Sequence, residues 1–258
     1  MADTIEELKE KQVLAHRILT QNESMGDTTG HVWARVPGKD EILTRCRNPE
    51  DQSPGYVEAT AMHTIDFNGR PTEAMGDYSI PPERWIACSI MKMRPEVNCV
   101  IHAHPPAQVL CANAGIKIRP IVGAQNNGGA SLARGGIGVY PRALLIHNRE
   151  IANAMLAVMG RKDVVLLKGH GNVVCGRSVE EATVKALQLE GIARLMWQIA
   201  LSGLDAPDVP WEDVEEGITR GVTGIDANDN PGGGDGARAS FNYYVKLLKE
   251  GRSIVPTF

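Results

Sequence analysis

The amino-acid sequence predicts an α/β domain of the α+β type, in which helices flank a central, mainly antiparallel sheet. Three observations predict this fold class. Short segments with strand-like alternation follow one another between residues 30 and 67, and Pro37-Gly38 and Ser53-Pro54-Gly55 separate them as turns. Segments with helical spacing of apolar residues lie before and after them. The chain has 258 residues, which is enough for a domain with a substantial core.

The first half of the chain is predicted to combine helices with a group of strands. Thr4 and Glu7 have the spacing of a capping box, so we expect a helix to begin at Thr4. Prolines are tolerated in the first turn of a helix, and Pro81-Pro82 therefore indicates a second helix start. The predicted elements, in chain order, are a helix over 4–21, strands in HVWARV, EILTRC and EATAMHTIDF, an FNGRP turn over 67–71, a helix over 82–93, a buried strand over 98–104 and a helix over 106–115.

The second half is predicted to contain a strand–turn–strand unit followed by the longest helix, for which Ser178 is a suitable N-cap. The predicted elements are a short strand over 118–124, a glycine-rich loop over 126–140 that leads into a strand, a helix over 149–160, two strands joined by a turn over 163–176, a helix over 179–203, a helical stretch over 211–221, a linker over 226–237 and a last helix over 240–251. We therefore expect a main domain over residues 1–222, followed by a linker and a C-terminal helix over 223–258.

Composition excludes several classes of function. Lys and Arg total 27 and Asp and Glu total 31, so the formal charge is −4, which predicts neither a nucleic-acid partner nor a polybasic membrane anchor. The N-terminal segment lacks the apolar region of a signal peptide, and no stretch approaches the roughly 18 apolar residues of a membrane span. Five cysteines without CxxC spacing indicate buried, reduced thiols, and we expect a cytoplasmic protein.

The segment Ile101-His102-Ala103-His104-Pro105 is the strongest local indication of a site. Residues i and i+2 of a strand point to the same face, so both imidazoles can reach one point. Ring nitrogens that lie about 2 Å from a common point have the geometry of metal ligands. The same spacing fits two histidines that are paired with other polar groups, so the segment alone leaves both interpretations open.

Two further segments add candidate groups. In Lys168-Gly169-His170-Gly171-Asn172 an apolar strand leads into a histidine between two glycines, which permit close backbone approaches, although an ordinary turn has the same pattern. Glu83 stands near a predicted helix start, where the helix dipole favours a carboxylate. Three histidines with one open position have the layout of a catalytic metal site, and Glu83 would then be a general base or a displaceable fourth ligand.

The sequence resembles the class II aldolase/adducin family, which includes L-fuculose-phosphate aldolase and L-ribulose-phosphate epimerase. The resemblance spans about residues 5–205 together with the C-terminal arm, and the spacing from Glu83 to His102 is also similar to that of the aldolases. The segments that carry it are Gly30-His31-Val32-Trp33-Ala34-Arg35, Glu83-Arg84-Trp85, Arg94-Pro95-Glu96-Val97-Asn98, His102-Ala103-His104-Pro105, Gly169-His170-Gly171 and Asn242-Tyr243-Tyr244.

The resemblance implies a three-layer class II aldolase-type fold, with residues 1–222 as the catalytic domain. It implies that His102, His104 and His170 bind one divalent metal ion per subunit and that Glu83 is the acid/base residue. Three imidazoles suit zinc, and manganese, iron or cobalt stays open. A homotetramer with active sites at subunit interfaces is also implied. Tyr243 or Tyr244 of the C-terminal arm could then supply a proton donor to a neighbouring site, with simple helix packing as the alternative.

Two departures from the phospho-sugar aldolases argue against a sugar phosphate as substrate. His31 and Trp33 stand in a stretch that reads Gly-Asn-Val-Ser in those aldolases and helps to bind phosphate, and Pro81-Pro82 replaces a Ser-Ser pair. Prolines have no N–H and no hydroxyl to offer an anionic oxygen. Trp33 would narrow a phosphate pocket or form a flat wall for a ring. In these features the sequence is more similar to the decarboxylase branch of the family, which acts on hydroxylated aromatic or heteroaromatic dicarboxylates.

Substrate contacts in such a decarboxylase would come from groups that bind carboxylates. His31 and Arg35 are candidates, because a guanidinium binds a carboxylate with two parallel hydrogen bonds, although both could be structural residues. Asn126 could line the pocket. The first hypothesis is a metal-dependent carbon–carbon lyase of aromatic catabolism that decarboxylates a small carboxylate substrate of this kind. The alternatives are a class II aldolase or epimerase of a small, non-phosphorylated hydroxy-carbonyl compound, and a non-catalytic adducin-like module.

Overall fold

A computed structural model describes residues 3–50, 53–219 and 236–253, and seven strands of these residues form one sheet. The strands are β1 (His31–Arg35), β2 (Glu41–Arg45), β3 (Met62–Asp66), β4 (Cys99–Ala103), β5 (Gly138–Tyr140), β6 (Val164–Leu167) and β7 (Gly171–Gly176). They lie in the order β3-β2-β1-β4-β7-β6-β5. All neighbouring pairs are antiparallel except β5 and β6, which are parallel. The predicted mainly antiparallel sheet is confirmed.

The described residues also form eight α-helices. They are α1 (Ile5–Gln21), α2 (Trp85–Met93), α3 (Pro106–Ala114), α4 (Asn127–Ala133), α5 (Arg149–Met159), α6 (Val179–Ser202), α7 (Trp211–Thr219) and α8 (Gly236–Lys249). The predicted capping box begins α1, since Thr4 Oγ1 accepts from the N–H of Glu7 at 3.2 Å and Glu7 Oε2 accepts from the N–H of Thr4 at 2.7 Å. Ser178 caps α6 in the same way, accepting from the N–H of Glu181 at 3.2 Å.

The sheet is the middle of three layers, because both of its faces are apolar and each must be covered. Successive side chains of a strand point to opposite faces, so β1 and β4 contribute to two cores. One face carries Val32 and Ile101 and shares a core with α1, α3, α6 and α8. The opposite face carries Trp33 and Val100 and shares a core with α2 and α5.

Two predicted segments differ in the structure. The prediction of a strand over 118–124 is wrong, because these residues form neither strand nor helix. Pro120 has no N–H to donate to a neighbouring strand, and its carbonyl accepts from the N–H of Val209 at 2.9 Å. The prediction of a loop over 126–140 is wrong at its start, which forms α4. A Cβ at Gly129 would lie 2.7 Å from the carbonyl oxygen of Gln188, so glycine permits α4 to pack closely against α6.

The C-terminal helix α8 packs against α1 and α6, with Phe241 buried in their shared core; Leu247 of the same helix is also buried. It begins at Gly236, earlier than the predicted residue 240. Residues 226–235 of the predicted linker and the boundary between residues 222 and 223 lie outside the described residues. The division into two parts at that boundary therefore stays a prediction.

The five cysteines are free and buried, in agreement with the predicted reduced thiols. Burial raises the pKa of the Cys46 thiol to about 12, so this group stays neutral at physiological pH. Within the three described ranges, every helix is too short or too polar to cross a lipid bilayer.

Candidate active site

One edge of the sheet brings together the segments that carry the predicted site residues. His102 lies near the end of β4, and its cross-strand partners are His31 of β1 and Val173 of β7. His170 lies in the turn that joins β6 to β7. Because β4 and β7 are antiparallel, the end of β4 and the beginning of β7 meet at the same edge. Glu83 lies in a short 3-10 helix that leads into α2.

Three imidazoles and one carboxylate meet at this edge. The Nε2 atoms of His102 and His104 are 3.1 Å apart. Glu83 Oε2 lies 3.3 Å from His102 Nε2, and Glu83 Oε1 lies 3.6 Å from His170 Nε2. One ring nitrogen from each of the three histidines can be chosen so that all three lie within 4.8 Å of one another. The structure thus brings these four residues together, and we refer to them as the histidine–glutamate cluster.

Hydrogen bonds on the outer side of two rings decide which nitrogen faces the cluster. His102 Nδ1 donates to the carbonyl oxygen of Asn172 at 2.7 Å, which requires the proton on Nδ1. His104 Nδ1 lies 3.1 Å from Thr29 Oγ1, and the Thr29 hydroxyl itself donates to the Gly26 carbonyl at 2.8 Å. The threonine oxygen therefore accepts from His104 Nδ1. In the neutral rings, both Nε2 atoms carry a lone pair on the cluster side.

This donor set fits a divalent cation. Two nitrogen lone pairs 3.1 Å apart repel each other unless a positive charge lies between them. Ligand bonds of about 2.0–2.1 Å place two imidazole nitrogens about 2.8–3.4 Å apart at octahedral or tetrahedral angles. Three histidines with an adjacent carboxylate also have the donor types of a catalytic site rather than a closed structural one. His102, His104 and His170 could hold the ion, and Glu83 is close enough to reach it.

Electrostatics favour a neutral His104, a neutral His170 and an ionised Glu83. Burial lowers the pKa of His104 to about 4, and the charges of His102 and His170 act in the same direction. Burial and the charge of His102 also lower the pKa of His170. Burial acts to raise the pKa of Glu83, but His102 and His170 outweigh it, so that this pKa is lowered. Burial acts to lower the pKa of His102, and Glu83 more than reverses this effect.

Two glycines and one backbone amide shape the cluster. Gly169, before His170, has a φ of +67°, a conformation that residues with a Cβ rarely adopt. A Cβ at Gly171 would lie 2.7 Å from His104 Cδ2, so only glycine lets this turn approach the histidine. The N–H of Ile146 donates to Glu83 Oε1 at 3.1 Å and holds the carboxylate toward the histidines.

His31 and Trp33 lie next to the cluster, on the face of β1 that is covered by α2. The ring of His31 stacks on Trp33 with the ring centroids 5.1 Å apart. His31 Nδ1 is buried and has no hydrogen-bond partner among the described residues. Trp33 is fully buried behind His31, so the structure does not place it as an exposed wall for a substrate ring.

The structure does not bring Arg35 to the cluster. Arg35 lies at the opposite end of β1 from His31, and its guanidinium donates to the carbonyls of Met91 at 2.7 Å and Val97 at 3.1 Å. Met91 lies in the last turn of α2, where carbonyl groups lack partners within the helix. The side chain of Arg35 therefore caps this helix end. The ability of a guanidinium to bind a carboxylate, which suggested a substrate contact, does not reveal these backbone partners.

The structure also shows Asn126, Tyr243 and Tyr244 in contacts other than those of the histidine–glutamate cluster. Asn126 Oδ1 accepts from the N–H of Gly129 at 2.9 Å and caps α4, while its Nδ2 donates to the carbonyl of Gln188 at 2.8 Å. Tyr243 is 53% exposed on α8, and Tyr244 packs against the core beneath that helix. Within the described residues, neither tyrosine has a hydrogen bond to the histidine–glutamate cluster of its own chain.

Sequence reasoning missed three residues that contact the cluster. Asn172 follows the GHG segment and is a polar residue in an otherwise apolar strand, which is a signal that could have identified it. Thr29 and Ile146 contact His104 and Glu83 across 75 and 63 residues of chain, and no local pattern indicates such contacts.

Comparison with known proteins identifies the family. Residues 10–197 match the model of the Class II Aldolase and Adducin N-terminal domain. The chain belongs to this family. It is 38% identical over 211 residues to a 3,4-dihydroxyphthalate decarboxylase of Arthrobacter keyseri, with 81% of this chain and 85% of that protein covered. Enzymes of the same description from Terrabacter sp. strain DBF63 and Rhodococcus jostii strain RHA1 are 41% and 35% identical, covering 72% and 78% of this chain and 78% and 85% of theirs.

Solved structures share the fold at low sequence identity. An L-fuculose 1-phosphate aldolase from Glaciozyma antarctica PI12 aligns with a TM-score of 0.75 at 16% identity, covering 98% of this chain and 96% of that one. An aldolase II superfamily protein from Pseudomonas syringae aligns with a TM-score of 0.74 at 20% identity, covering 97% and 95%. The class II aldolase-type fold and the resemblance to the decarboxylase branch are confirmed. The protein is an enzyme of the lyase class, which contradicts the alternative of a non-catalytic module.

Proposed function

We propose that this lyase is a metal-dependent decarboxylase of a hydroxylated aromatic dicarboxylate, of the chemical class of 3,4-dihydroxyphthalate. The observation that carries the proposal is its 35–41% identity to three 3,4-dihydroxyphthalate decarboxylases. The histidine–glutamate cluster supports it as well. Loss of CO₂ from a ring requires one group that stabilises developing negative charge and another that moves a proton. Such an enzyme would take part in aromatic catabolism.

The metal would be held by the imidazoles of His102, His104 and His170. Zinc or manganese is the proposed ion, and iron and cobalt are further candidates for imidazole ligands. When bound, a divalent ion supplies Lewis-acid stabilisation of the negative charge that develops on the substrate oxygens as the carbon–carbon bond breaks. The hydrogen bond from His102 Nδ1 to the Asn172 carbonyl keeps Nε2 free to act as a ligand.

Glu83 is the proposed proton-transfer residue. Because His102 and His170 lower its pKa, the carboxylate is ionised at neutral pH and can accept the proton of the substrate hydroxyl next to the departing carboxylate. Glu83 then gives this proton to the ring carbon that bears that carboxylate. The carbon–carbon bond breaks, CO₂ leaves, and the bonding electron pair restores the aromatic ring as a phenolate, which takes a proton from solvent. One turnover releases one CO₂ and consumes one solvent proton.

His31 is the proposed contact for the carboxylate that the substrate retains. Burial and the charge of His102 hold the pKa of His31 well below its usual range, so the ring is neutral and offers one N–H donor. Its Nδ1 has no partner among the described residues, and the ring is the cross-strand neighbour of His102. Arg35 and Asn126 are left out of this proposal, because their polar groups bind backbone partners elsewhere.

We also propose that the enzyme is a homotetramer with active sites at subunit interfaces. The exposed ring of Tyr243 on α8 supports this idea, because it is available to another subunit, and Tyr244 is the second candidate. Light scattering of the purified protein should give four times the chain mass of 27.9 kDa. A monomeric mass at micromolar concentration would contradict the assembly.

Incubation of the metal-loaded enzyme with 3,4-dihydroxyphthalate tests the proposed reaction. We expect one equivalent of CO₂ and the corresponding dihydroxybenzoate, identified by mass spectrometry. Phthalate itself is the matched control, because it has both carboxylates and no hydroxyl group to lose a proton, and it should not react. Hydroxypyridine dicarboxylates extend the test to heteroaromatic rings. If none of these acids releases CO₂ while a small, non-phosphorylated hydroxy-carbonyl compound such as L-fuculose is cleaved or epimerised, the aldolase or epimerase alternative replaces the proposal.

A further inference from the structure

A chain of buried polar side chains leads from helix α6 to the histidine–glutamate cluster. It consists of Glu190 of α6, Gln108 of α3 and Asn172 of β7, and we call it the Glu190 relay. Gln108 and Asn172 are fully buried and Glu190 is 3% exposed. Buried polar groups are costly unless each one finds a partner, and a network of this kind fixes the positions of all its members.

The relay first contacts helix α3, which follows His102 of β4 and His104. Pro105 and Pro106 open α3 and have no N–H, so the first backbone donors of this helix belong to Ala107 and Gln108. The residue that precedes α3 provides no side-chain cap. Glu190 of α6 caps α3 instead, because its carboxylate accepts from the N–H of Ala107 at 3.1 Å and from the N–H of Gln108 at 3.3 Å.

The relay continues through two amides to His102. Gln108 Nε2 donates to Glu190 Oε2 at 3.4 Å, and Gln108 Oε1 accepts from Asn172 Nδ2 at 2.8 Å. Asn172 Oδ1 accepts from the N–H of Ala103 at 3.2 Å. The carbonyl oxygen of the same Asn172 accepts from His102 Nδ1 at 2.7 Å. Asn172 therefore holds both the ring of His102 and the next backbone amide, and Gln108 holds Asn172.

A second branch leads from Glu190 to His104. Arg194 Nε donates to Glu190 Oε1 at 3.0 Å, and Arg194 Nη2 donates to Glu23 Oε2 at 2.9 Å. The carbonyl of Ser24, next to Glu23, accepts from the N–H of His104 at 2.8 Å. Glu190 is thus linked to the ring of His102 through the two amides, and to the backbone of His104 through Arg194 and the segment that contains Glu23.

We propose that Glu190, Gln108 and Asn172 are positioning residues, which hold the imidazole of His102 and the backbone that leads to His104 in the arrangement that binds the divalent ion. The relay touches neither substrate nor ion and acts through the two histidines. This inference rests on the proposed function, because it assumes that these histidines are metal ligands. Groups that orient metal-binding imidazoles typically change metal affinity or activity by about 10–100-fold when they are removed.

Cobalt binding to the apoprotein tests the relay without an activity measurement. Gln108→Met keeps the size of the side chain and removes both of its hydrogen bonds. We expect it to weaken Co²⁺ binding by about 10–100-fold, measured by competition with a chromophoric chelator, and to shift the visible absorption bands of the bound cobalt. Gln12→Met is the matched control. Gln12 is also fully buried, and its Nε2 donates to the Leu43 carbonyl at 2.9 Å, away from the relay.

The outcomes separate the relay from a general loss of stability. Both variants should lower the thermal unfolding temperature of the apoprotein, and only Gln108→Met should change cobalt affinity and spectrum. If Gln108→Met does not fold, Glu190→Gln, which keeps one acceptor oxygen, should give a smaller loss of affinity in the same direction. Cobalt binding with wild-type affinity and spectrum in the folded relay variant, or equal losses in both methionine variants, would overturn the inference. A wild-type protein that binds no divalent metal would instead reject the proposed function itself.

Discussion

Glu83→Gln tests the proposed chemistry directly, because it keeps the size and one oxygen of a side chain that is 5% exposed. The amide oxygen can still accept from the N–H of Ile146, which lies 3.1 Å from Glu83 Oε1. The substitution removes a negative charge and a proton acceptor 3.3 Å from His102 Nε2. A general acid–base group contributes about 10²–10⁴ in rate, or about 3–5 kcal/mol of transition-state stabilisation. We therefore expect kcat to fall by this factor.

The metal should remain in the Glu83→Gln enzyme. The three imidazoles that would hold it are unchanged, and the nearest ring loses the carboxylate that raises its pKa. His102 then releases its proton more readily and stays available as a neutral ligand. Low turnover with full metal content is the expected combination, since the substitution removes proton transfer and leaves the ion.

The assay measures CO₂ release from 3,4-dihydroxyphthalate and metal content on the same samples. Glu180→Gln is the matched control, because Glu180 is 6% exposed and its Oε1 lies 2.6 Å from Lys11 Nζ. Glu180 stands at the beginning of α6, after the end of β7 that is remote from His170. It should lose stability and keep turnover. A Glu83→Gln enzyme with wild-type turnover would refute the proton-transfer role, and loss of the metal would identify Glu83 as a ligand instead.

Three further predictions concern the metal, acid stability and the subunit interface. His102→Ala should lose its metal after dialysis and release no CO₂, and a fully active, metal-free variant would disprove the site. Burial acts to raise the pKa of Asp163, but Lys185 and Arg94 outweigh it, so the folded-state pKa is lowered. The ionised carboxylate therefore stabilises the fold fully at a pH above about 3.9, the pKa of an unfolded Asp. This stabilisation is lost as the pH falls through the lower folded-state pKa. Asp163→Asn should therefore unfold at a lower urea concentration than the wild type at pH 7, and the difference should shrink as the pH falls below the unfolded value of about 3.9. Equal midpoints at pH 7 would contradict the ion pairs. Two inactive variants test the subunit interface when they are co-expressed: His102→Ala, and a chain in which Tyr243 and Tyr244 are both replaced by Phe. Mixed oligomers should regain activity that neither variant has alone. No gain in activity would mean that the tyrosines do not act in a neighbouring subunit's site.

The part of the site that depends on local geometry could be predicted from the sequence. The alternation of a strand relates His102 to His104 without any knowledge of the tertiary structure, and β4 forms where the pattern predicts it. His170 and Glu83 stand in patterns that also fit an ordinary turn and a helix start. The donor types of a catalytic metal site and the resemblance to a family connected them to the histidine pair. No local pattern shows their proximity, because it results from contacts between distant segments.

Two predicted substrate contacts, Arg35 and Asn126, have partners in the structure that the sequence pattern does not show. Arg35 shares a strand face with His31, but the strand places it four residues away, at the end where α2 leaves carbonyl groups to satisfy. Asn126 stands before two glycines that suggest a loop, yet these glycines permit α4 to approach α6 and leave the asparagine as a helix cap. A sequence pattern predicts on which face of a helix or strand a side chain lies, but only the tertiary structure shows which groups that side chain contacts.

Charge balance indicates where a dicarboxylate would lie. The proposed divalent ion and the Glu83 carboxylate together would leave one positive charge, whereas the proposed dicarboxylate substrate would bring two negative ones. Further positive charge near the site would therefore favour its binding. Arg45 ends β2, the strand beside β1, and Arg47 follows it; both donate to the carbonyl of Thr28. Burial and the charge of His102 are the largest causes of the lowered pKa of His31, and the charges of these two arginines lower it further. The electrostatic field of the arginines therefore reaches this ring. The retained carboxylate is therefore expected on the β2 side of the cluster, next to His31, and the departing one on the side of Glu83.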